Sequence, residues 1–366
     1  MNTAVDDIDN IYRLLLGDSS LQPSSLCLQL LDYRLAIGSN SAQLINGLQS
    51  YFAHVLVPSC EDARAEVIAV ERDIVETGLE FTDWKREPGK SGRKDAIHEV
   101  AGARLVQKVR TGMLFLQSEQ ALVAAGPCLE YDNQVINFIN SQFLNWLQND
   151  AYLLCHASAL SRNGHGLAIA GLSGGGKSTL MLNLLEDAAT VYVTNDRLLV
   201  RRQEREVHAV GIPKLPRINP GTIVNNPRLF PLIDEGSRKE LLQLDKSELW
   251  QLEQKYDVDI NELYGANRIQ HETTLQKFLV LNWQHDTDQV LRVSPVDLST
   301  RPDLLSAITK PSGPFYIDAQ GRFNQDDAMP DATAYLEALE DVEVYEASGR
   351  VDFERLGTVC LDELMA

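Results

Sequence analysis

Apolar positions recur every three to four residues in IDNIYRLLLG (8–17) and SAQLINGLQSYFAHVL (41–56), the spacing that gathers them on one helix face. Between and after these runs, LDYRLAIGSN (31–40), AEVIAVER (65–72), ARLVQKVR (103–110), MLFLQSE (113–119) and ALVAAGP (121–127) are short, β-favouring and bounded by turn residues, which predicts a small mixed sheet. NQVINFINSQFLNWLQND (133–150) returns to helical spacing, with Val135, Ile136, Ile139, Leu144 and Leu147 on one face. Residues 1–150 thus read as an α+β domain of unknown role.

The next block, 151–300, changes character. YLLCHASALSRNGHGLAIAG (152–171) reads as two strands joined by the turn Asn163-Gly164-His165-Gly166. TLMLNLLED (179–187) reads as a helix, and VYVTNDRLLVRR (191–202) as a strand that ends or bends at Asn195-Asp196. SRKELLQLDKSELWQLEQKYDVD (237–259) predicts a solvated helix laced with opposite charges. The tail, 301–366, opens with loops at KPSGPF and QDDAMPDA and closes with TAYLEALEDV and FERLGTVCLDEL, a helical and strand appendage. No period of 20 to 50 residues repeats, which excludes solenoids and propellers.

Between the strand and the helix of the middle block stands AGLSGGGKST (170–179). Gly171 to Ser178 satisfies G-x-x-x-x-G-K-[ST], a pattern that average residue usage produces in a chain of this length roughly once in a hundred. The spacing is mechanical. Glycines let backbone N–H groups turn inward as a nest for phosphate at a helix N-terminus, where side chains would crowd it. Gly171, Leu172, Ser173, Gly174, Gly175, Gly176, Lys177, Ser178 and Thr179 are therefore the candidate nucleotide-binding residues. Lys177 stands where an ammonium reaches the β and γ oxygens, and Ser178 where a hydroxyl completes a Mg²⁺ shell. Cradling phosphate is not yet transferring it, because the nest does nothing to activate an acceptor.

Composition narrows the partners. A formal net charge of −19 argues against nucleic acid, whose phosphates are neutralised by clustered Lys and Arg. The acidic start MNTAVDDIDN lacks the basic and apolar regions of an export signal, and no apolar run approaches the ~18 residues of a membrane span. Five cysteines, at 27, 60, 128, 155 and 360, form no metal-ligand spacing and suit a reducing cytoplasm as buried filler. One basic, glycine-rich patch, KREPGKSGRK (85–94), reads as a solvated loop, with docking of an acidic partner or phosphate as the alternative.

Four features resemble the HPr kinase/phosphorylase family, whose strand-loop-helix core is also related to phosphoenolpyruvate carboxykinase. His156 opens CHASAL fifteen residues before Gly171; GLSGGGKST follows the phosphate loop; Asn195-Asp196-Arg197 falls where the family has Asp-Asp-Arg; and GANRIQHETTLQKFLVLNW (265–283) follows the family's glycine, basic residue, acid-Thr-Thr and strand. The match spans roughly 152–283 and is nearest to the HprK-related kinases of type B. The resemblance implies an α/β fold with a mixed-sheet P-loop kinase core, ATP and Mg²⁺ as cofactors, homo-oligomers, and a protein or small-molecule phosphoacceptor. It makes Lys177, Asp196 and His156 catalytic candidates, Ser178 and Asp196 metal ligands, and Glu272 a group that orients the metal from outside its shell. His165 is expected to be exposed and idle.

Three departures qualify what is carried over. Asn195 replaces the family's proton-accepting aspartate, and an amide accepts no proton at neutral pH. Arg217, in KLPRINPGTI, stands near the place of a family glutamate and would suit phosphate or an acceptor carboxylate rather than a metal. Gln270 stands near a family arginine, for which Arg268 is the substitute two residues away. An ATP- and Mg²⁺-dependent phosphotransferase is the leading expectation, a nucleotide-gated binding module the alternative, and a carboxykinase-like enzyme ranks third.

Overall fold

The computed structural model describes residues 7–22, 25–86, 92–171, 175–245, 248–249, 252, 254–284 and 287–366. The chain forms two compact units, one running up to Asp150 and including Pro311–Met329, the other comprising Ala151–Lys310 and Pro330–Ala366. The tail is therefore divided: 311–329 packs with the first unit, and the remainder of 301–366 with the second.

In the first unit, eight strands run β1 (Leu26–Leu30), β2 (Tyr33–Ser39), β3 (Ala65–Glu71), β4 (Thr82–Asp83), β5 (Asp95–Val100), β6 (Ala103–Lys108), β7 (Leu114–Ser118) and β8 (Leu122–Gly126). They form one mixed sheet in the order β1-β2-β3-β8-β7-β6-β5-β4, with β2, β3 and β8 mutually parallel. Helix α1 (Ile8–Leu16) is capped by the Asp7 carboxylate and buries Ile11 and Leu15; α2 is Ala42–Tyr51 and α3 Asp132–Asn149. The face expected of α3 is buried, but so are Phe138, Asn140, Ser141, Gln142, Phe143 and Asn145. Gln142 bonds Gln117 of β7 and Phe143 packs on Tyr33 of β2, and the returning tail covers the rest of the helix. Asn145 Nδ2 donates to Phe315 O at 2.8 Å, Asn149 Nδ2 to Ile317 O at 3.1 Å, and the Phe315 ring packs on Phe115 and Phe138 at 5.6 and 5.2 Å. Arg104, fully buried, donates to Pro314 O and Asn324 O and pairs with Glu99. Of the basic patch at 85–94, residues 87–91 lie outside the described residues.

In the second unit the strands are β9 (Leu153–Cys155), β10 (Ala157–Arg162), β11 (His165–Gly171), β12 (Thr190–Thr194), β13 (Leu198–Gln203), β14 (Glu206–Gly211), β15 (Arg217–Ile218), β16 (Tyr256–Asp257), β17 (Glu272–Leu281), β18 (Arg292–Pro295) and β19 (Glu343–Ser348). The main sheet is mixed, in the order β12-β10-β11-β17-β14-β13-β9, with β19 beside β17 and β18 beside β19. Asn163 and Gly164 take positive φ of 53° and 86°, so the β10–β11 hairpin turns on an Asn-Gly pair, tighter than the four-residue turn expected. Period two along β11 sorts the core. Leu167 and Ile169 meet helix α4 (Lys177–Leu184) and the helix Phe353–Val359, while Ala168 and Ala170 meet the helices Pro302–Ile308 and Ala332–Ala338. The single charged helix expected over 237–259 does not form: helix spans Glu235–Leu241, and Tyr256–Asp257 is strand. Leu242 and Leu244, just beyond Leu241, are exposed, so nothing apolar carries this helix on along the core, although Leu249 further on is buried. No helix among the described residues is long and apolar enough to cross a membrane.

Candidate functional site

The loop residues at the end of β11 lead into α4 through Gly176, whose φ of 86° belongs to the left-handed region. A Cβ there would also stand 2.6 Å from Phe353 Cζ and 3.2 Å from Trp283 Cζ2, so only glycine fits. Trp283, the last residue of the stretch quoted above, donates from Nε1 to Gly175 O at 2.9 Å and stacks edge-on against Phe353 at 4.9 Å. These rings fix the loop's exit. Among the described residues no side chain caps α4, so none of them claims its first N–H groups. Leu172, Ser173 and Gly174 lie outside the described residues.

Lys177 turns back toward the end of β11, its Nζ donating to Gly171 O at 2.8 Å. Burial pulls its ammonium down to about 8, helped by repulsion from Lys310 and opposed by Asp196. Ser178 is half-buried beside it, and the Thr179 hydroxyl is engaged with that of Thr222 at 2.8 Å.

His156 sits at the break between β9 and β10, where its backbone N–H donates to Ile308 O at 2.7 Å. Its Nε2 lies 3.2 Å from Asp196 Oδ1. Asp196 follows β12 in a short turn closed by the Thr194 hydroxyl on Arg197 O, and Arg197 Nε lies 3.7 Å from its Oδ2. Surrounding protein pushes the Asp196 carboxyl up, but Lys310, the hydrogen bond from His156 and Arg197 outweigh that and hold it well below the carboxylate range. With 41 % of its side chain exposed, the carboxylate remains open to a ligand. Asn195 is held by Ser158, whose hydroxyl donates to the Asn195 carbonyl oxygen at 2.7 Å.

Two cations here carried no sequence signal. Lys310 arrives because residues 308–310 run antiparallel to Leu154–His156, with Cys155 bridged to Thr309. Lys214 stands on the strap after β14, and Tyr192 Oη donates to its carbonyl oxygen at 2.7 Å. Burial lowers the Lys214 ammonium to about 8, with Arg197 and Arg217 adding to the effect and Asp196 and Asp257 opposing it. Arg217 is in register with Asp257, its Nε 3.1 Å from that carboxylate.

Arg268 is placed otherwise than the sequence suggests. Its guanidinium donates to the carbonyl oxygens of Leu185, Asp187, Thr190 and Tyr264 at 2.7–3.1 Å, tying the end of α4 to β12. Those bonds occupy four of its five donors and aim it at the backbone, so it serves as a clamp rather than a phosphate contact. Glu272, expected to orient the metal from outside its shell, is bonded to His208 Nε2 at 3.0 Å, and His208 Nδ1 to Tyr152 Oη at 2.7 Å. His165 is exposed at the hairpin. Among the described residues, no three His, Cys, Asp or Glu side chains gather as for a metal ion.

No protein-family model matches the sequence, and no curated protein does. Among solved structures, the chain is similar to the Hpr(Ser) kinase/phosphatase from Coxiella burnetii at a TM-score of 0.27 and 12 % identity, over 58 % of this chain and 87 % of that one.

Proposed function

We propose that the chain is an ATP- and Mg²⁺-dependent phosphotransferase of HPr kinase type, acting on a hydroxyl. The observation that carries this reading is the convergence of a glycine-only helix entry, a half-buried lysine bonded back to Gly171 and an ionised, open carboxylate paired with His156. Separately, each element is common. Together they supply a phosphate cradle, a charge for the γ-phosphoryl group and an acceptor-positioning group.

The donor set fits both cofactors. The uncapped start of α4 and the desolvated Lys177 suit a polyphosphate, which would restore to that ammonium the charge partner burial denies it. Ser178 and Asp196 would hold Mg²⁺, which usually takes one or two protein oxygens and completes its shell with phosphate and water. When bound, the ion would neutralise charge building on the β and γ oxygens. A carboxylate already surrounded by Lys310, Arg197 and His156 would give Mg²⁺ alone little reason to bind, so the ion would be held only together with the nucleotide's phosphates.

In transfer, Lys177 and the loop amides hold the γ-phosphoryl group while Asp196 accepts a hydrogen bond from the acceptor hydroxyl and aligns it. A carboxylate held this far down is a weak base. Its contribution is orientation, and the proton leaves to water as the P–O bond forms. His156 keeps Asp196 in place. The Asn195 amide, which accepts no proton, favours a second reading in which ATP orders a binding surface and little phosphate moves.

Incubation of the protein with γ-labelled ATP, Mg²⁺ and cell extract separates the two. Labelled acceptor absent from Lys177→Ala supports transfer; ATP-dependent thermal stabilisation without any labelled acceptor overturns it in favour of the binding reading. Asp196→Ala is expected to abolish transfer while nucleotide affinity stays within about tenfold.

A further inference from the structure

The site holds more positive charge than a nucleotide needs. Lys177, Lys310, Lys214, Arg197 and Arg217 surround two carboxylates, Asp196 and Asp257, within a chain whose net charge is −19. Among these described residues the cations outnumber the carboxylates by three, more than the net charge of magnesium-bound ATP, roughly −2. The strap that carries two of these cations is also fixed in place. Gly211 lies so close to β12 that a Cβ would stand 2.1 Å from Val193 O, Tyr192 grips the Lys214 carbonyl, and Thr222 joins Thr179 in the first turn of α4. Among the described residues, the buried Nε–H groups of Arg197 and Arg217 meet no hydrogen-bond acceptor in bonding geometry, although each guanidinium has a carboxylate nearby. A buried donor left so is costly unless a ligand supplies the acceptor.

We propose that Arg217, Lys214 and Arg197 form an acceptor subsite, and that the acceptor is a small hydroxylated molecule carrying a carboxylate or phosphate group. This rests on the phosphotransferase reading above. The anionic group is held by the arginines and Lys214, which presents the hydroxyl to Asp196. The hydroxyl oxygen then forms the new bond to the γ-phosphorus, the bond from that phosphorus to the β–γ bridging oxygen breaks, ADP leaves with that oxygen, and the hydroxyl proton passes to water. An arginine suits this task because its planar fork matches carboxylate and phosphate oxygens.

The test has two arms on the whole chain. In the first, protein saturated with Mg²⁺ and a non-hydrolysable ATP analogue is titrated calorimetrically with L-serine, D-glycerate, glycerol 3-phosphate, glycerol and a serine-containing acidic peptide. In the second, the same compounds are incubated with Mg-ATP and phosphoryl gain is read by mass spectrometry. At least one of the three small acids is expected to bind and gain a phosphoryl group, with glycerol inert. Arg217→Gln and Lys214→Gln should each weaken that acid at least tenfold, with Mg-ATP affinity changed less than threefold, and Arg217→Lys should recover part of the loss. Which acid responds tells carboxylate from phosphate recognition. Acid binding without phosphoryl gain upholds the subsite and overturns transfer. Phosphoryl gain on glycerol or the peptide alone, binding of none of the acids, or acid affinity unchanged in both Gln variants overturns the subsite and leaves transfer to be judged on its own result.

Discussion

Lys177 titrates where assays are run. Its ammonium lies at about 8 in the folded chain against 10.5 when unfolded, so between those values the unfolded chain holds a proton that the folded one has released. Lys177 therefore makes the fold more stable as pH rises through that window, its burial cost being present in full below it. Nucleotide binding has the opposite sign, because phosphate requires the charged form. Mg-ATP titrations near pH ~8.5 in buffers of different ionisation enthalpy should show proton uptake that is much reduced in Lys177→Ala, with affinity falling as pH rises past about 8. Equal uptake in both proteins would contradict this. Arg268 makes a different prediction. Removing a guanidinium that serves four carbonyl oxygens should cost about 2–4 kcal/mol, read as a lower melting temperature for Arg268→Ala, with no specific loss of nucleotide affinity at temperatures where the variant is folded. Residue type alone could not separate these roles. Lys177 stands in a motif with its own mechanics, whereas Arg268 is a lone cation whose partners are backbone groups some 80 residues away, at Leu185, Asp187 and Thr190.

At the scale of elements, the site depends on how α4 begins. Gly176→Ala forces a side chain into a left-handed backbone and against Phe353 and Trp283, so Mg-ATP affinity should fall roughly tenfold or more. Gly176→Ala with Phe353→Ala, which relieves the contact but not the backbone strain, should recover only part of it. Unchanged affinity in the single variant would remove the loop entry from the account. The strand, turn and helix around this loop were legible in sequence because local chemistry sets each: a continuous apolar run in β11, Asn-Gly in the hairpin, helix-favouring leucines and methionine in α4. The charged run at 237–259 misled because opposite charges at helical spacing stabilise a helix by only ~0.2–0.5 kcal/mol per pair, too little to carry it past Leu242 and Leu244, which face solvent. Strands β9 and β10 merged in the sequence reading because the break at His156 is made by a distant partner, Ile308.

For the molecule as a whole, −19 net charge and a cationic site are compatible, since at ordinary salt charges beyond ~10 Å are screened and the nearest groups prevail. What the sequence hid was the return of the chain. Residues 308–310 bring Lys310 to Asp196, and 311–329 lay Phe315 and four carbonyl oxygens on α3 and Arg104, within the first unit. Nothing local marks either segment, because both are defined by partners more than 100 residues away. Asp196, His156 and the phosphate loop could be found; Lys214 and Lys310 could not. The central claim is that this gathering grips the phosphates of Mg-ATP. Calorimetric titration of the purified chain with Mg-ATP tests it most directly: saturable one-site binding, weakened about tenfold or more in Lys177→Ala, is the predicted result. No heat and no thermal stabilisation, or the same affinity in the variant, would contradict it.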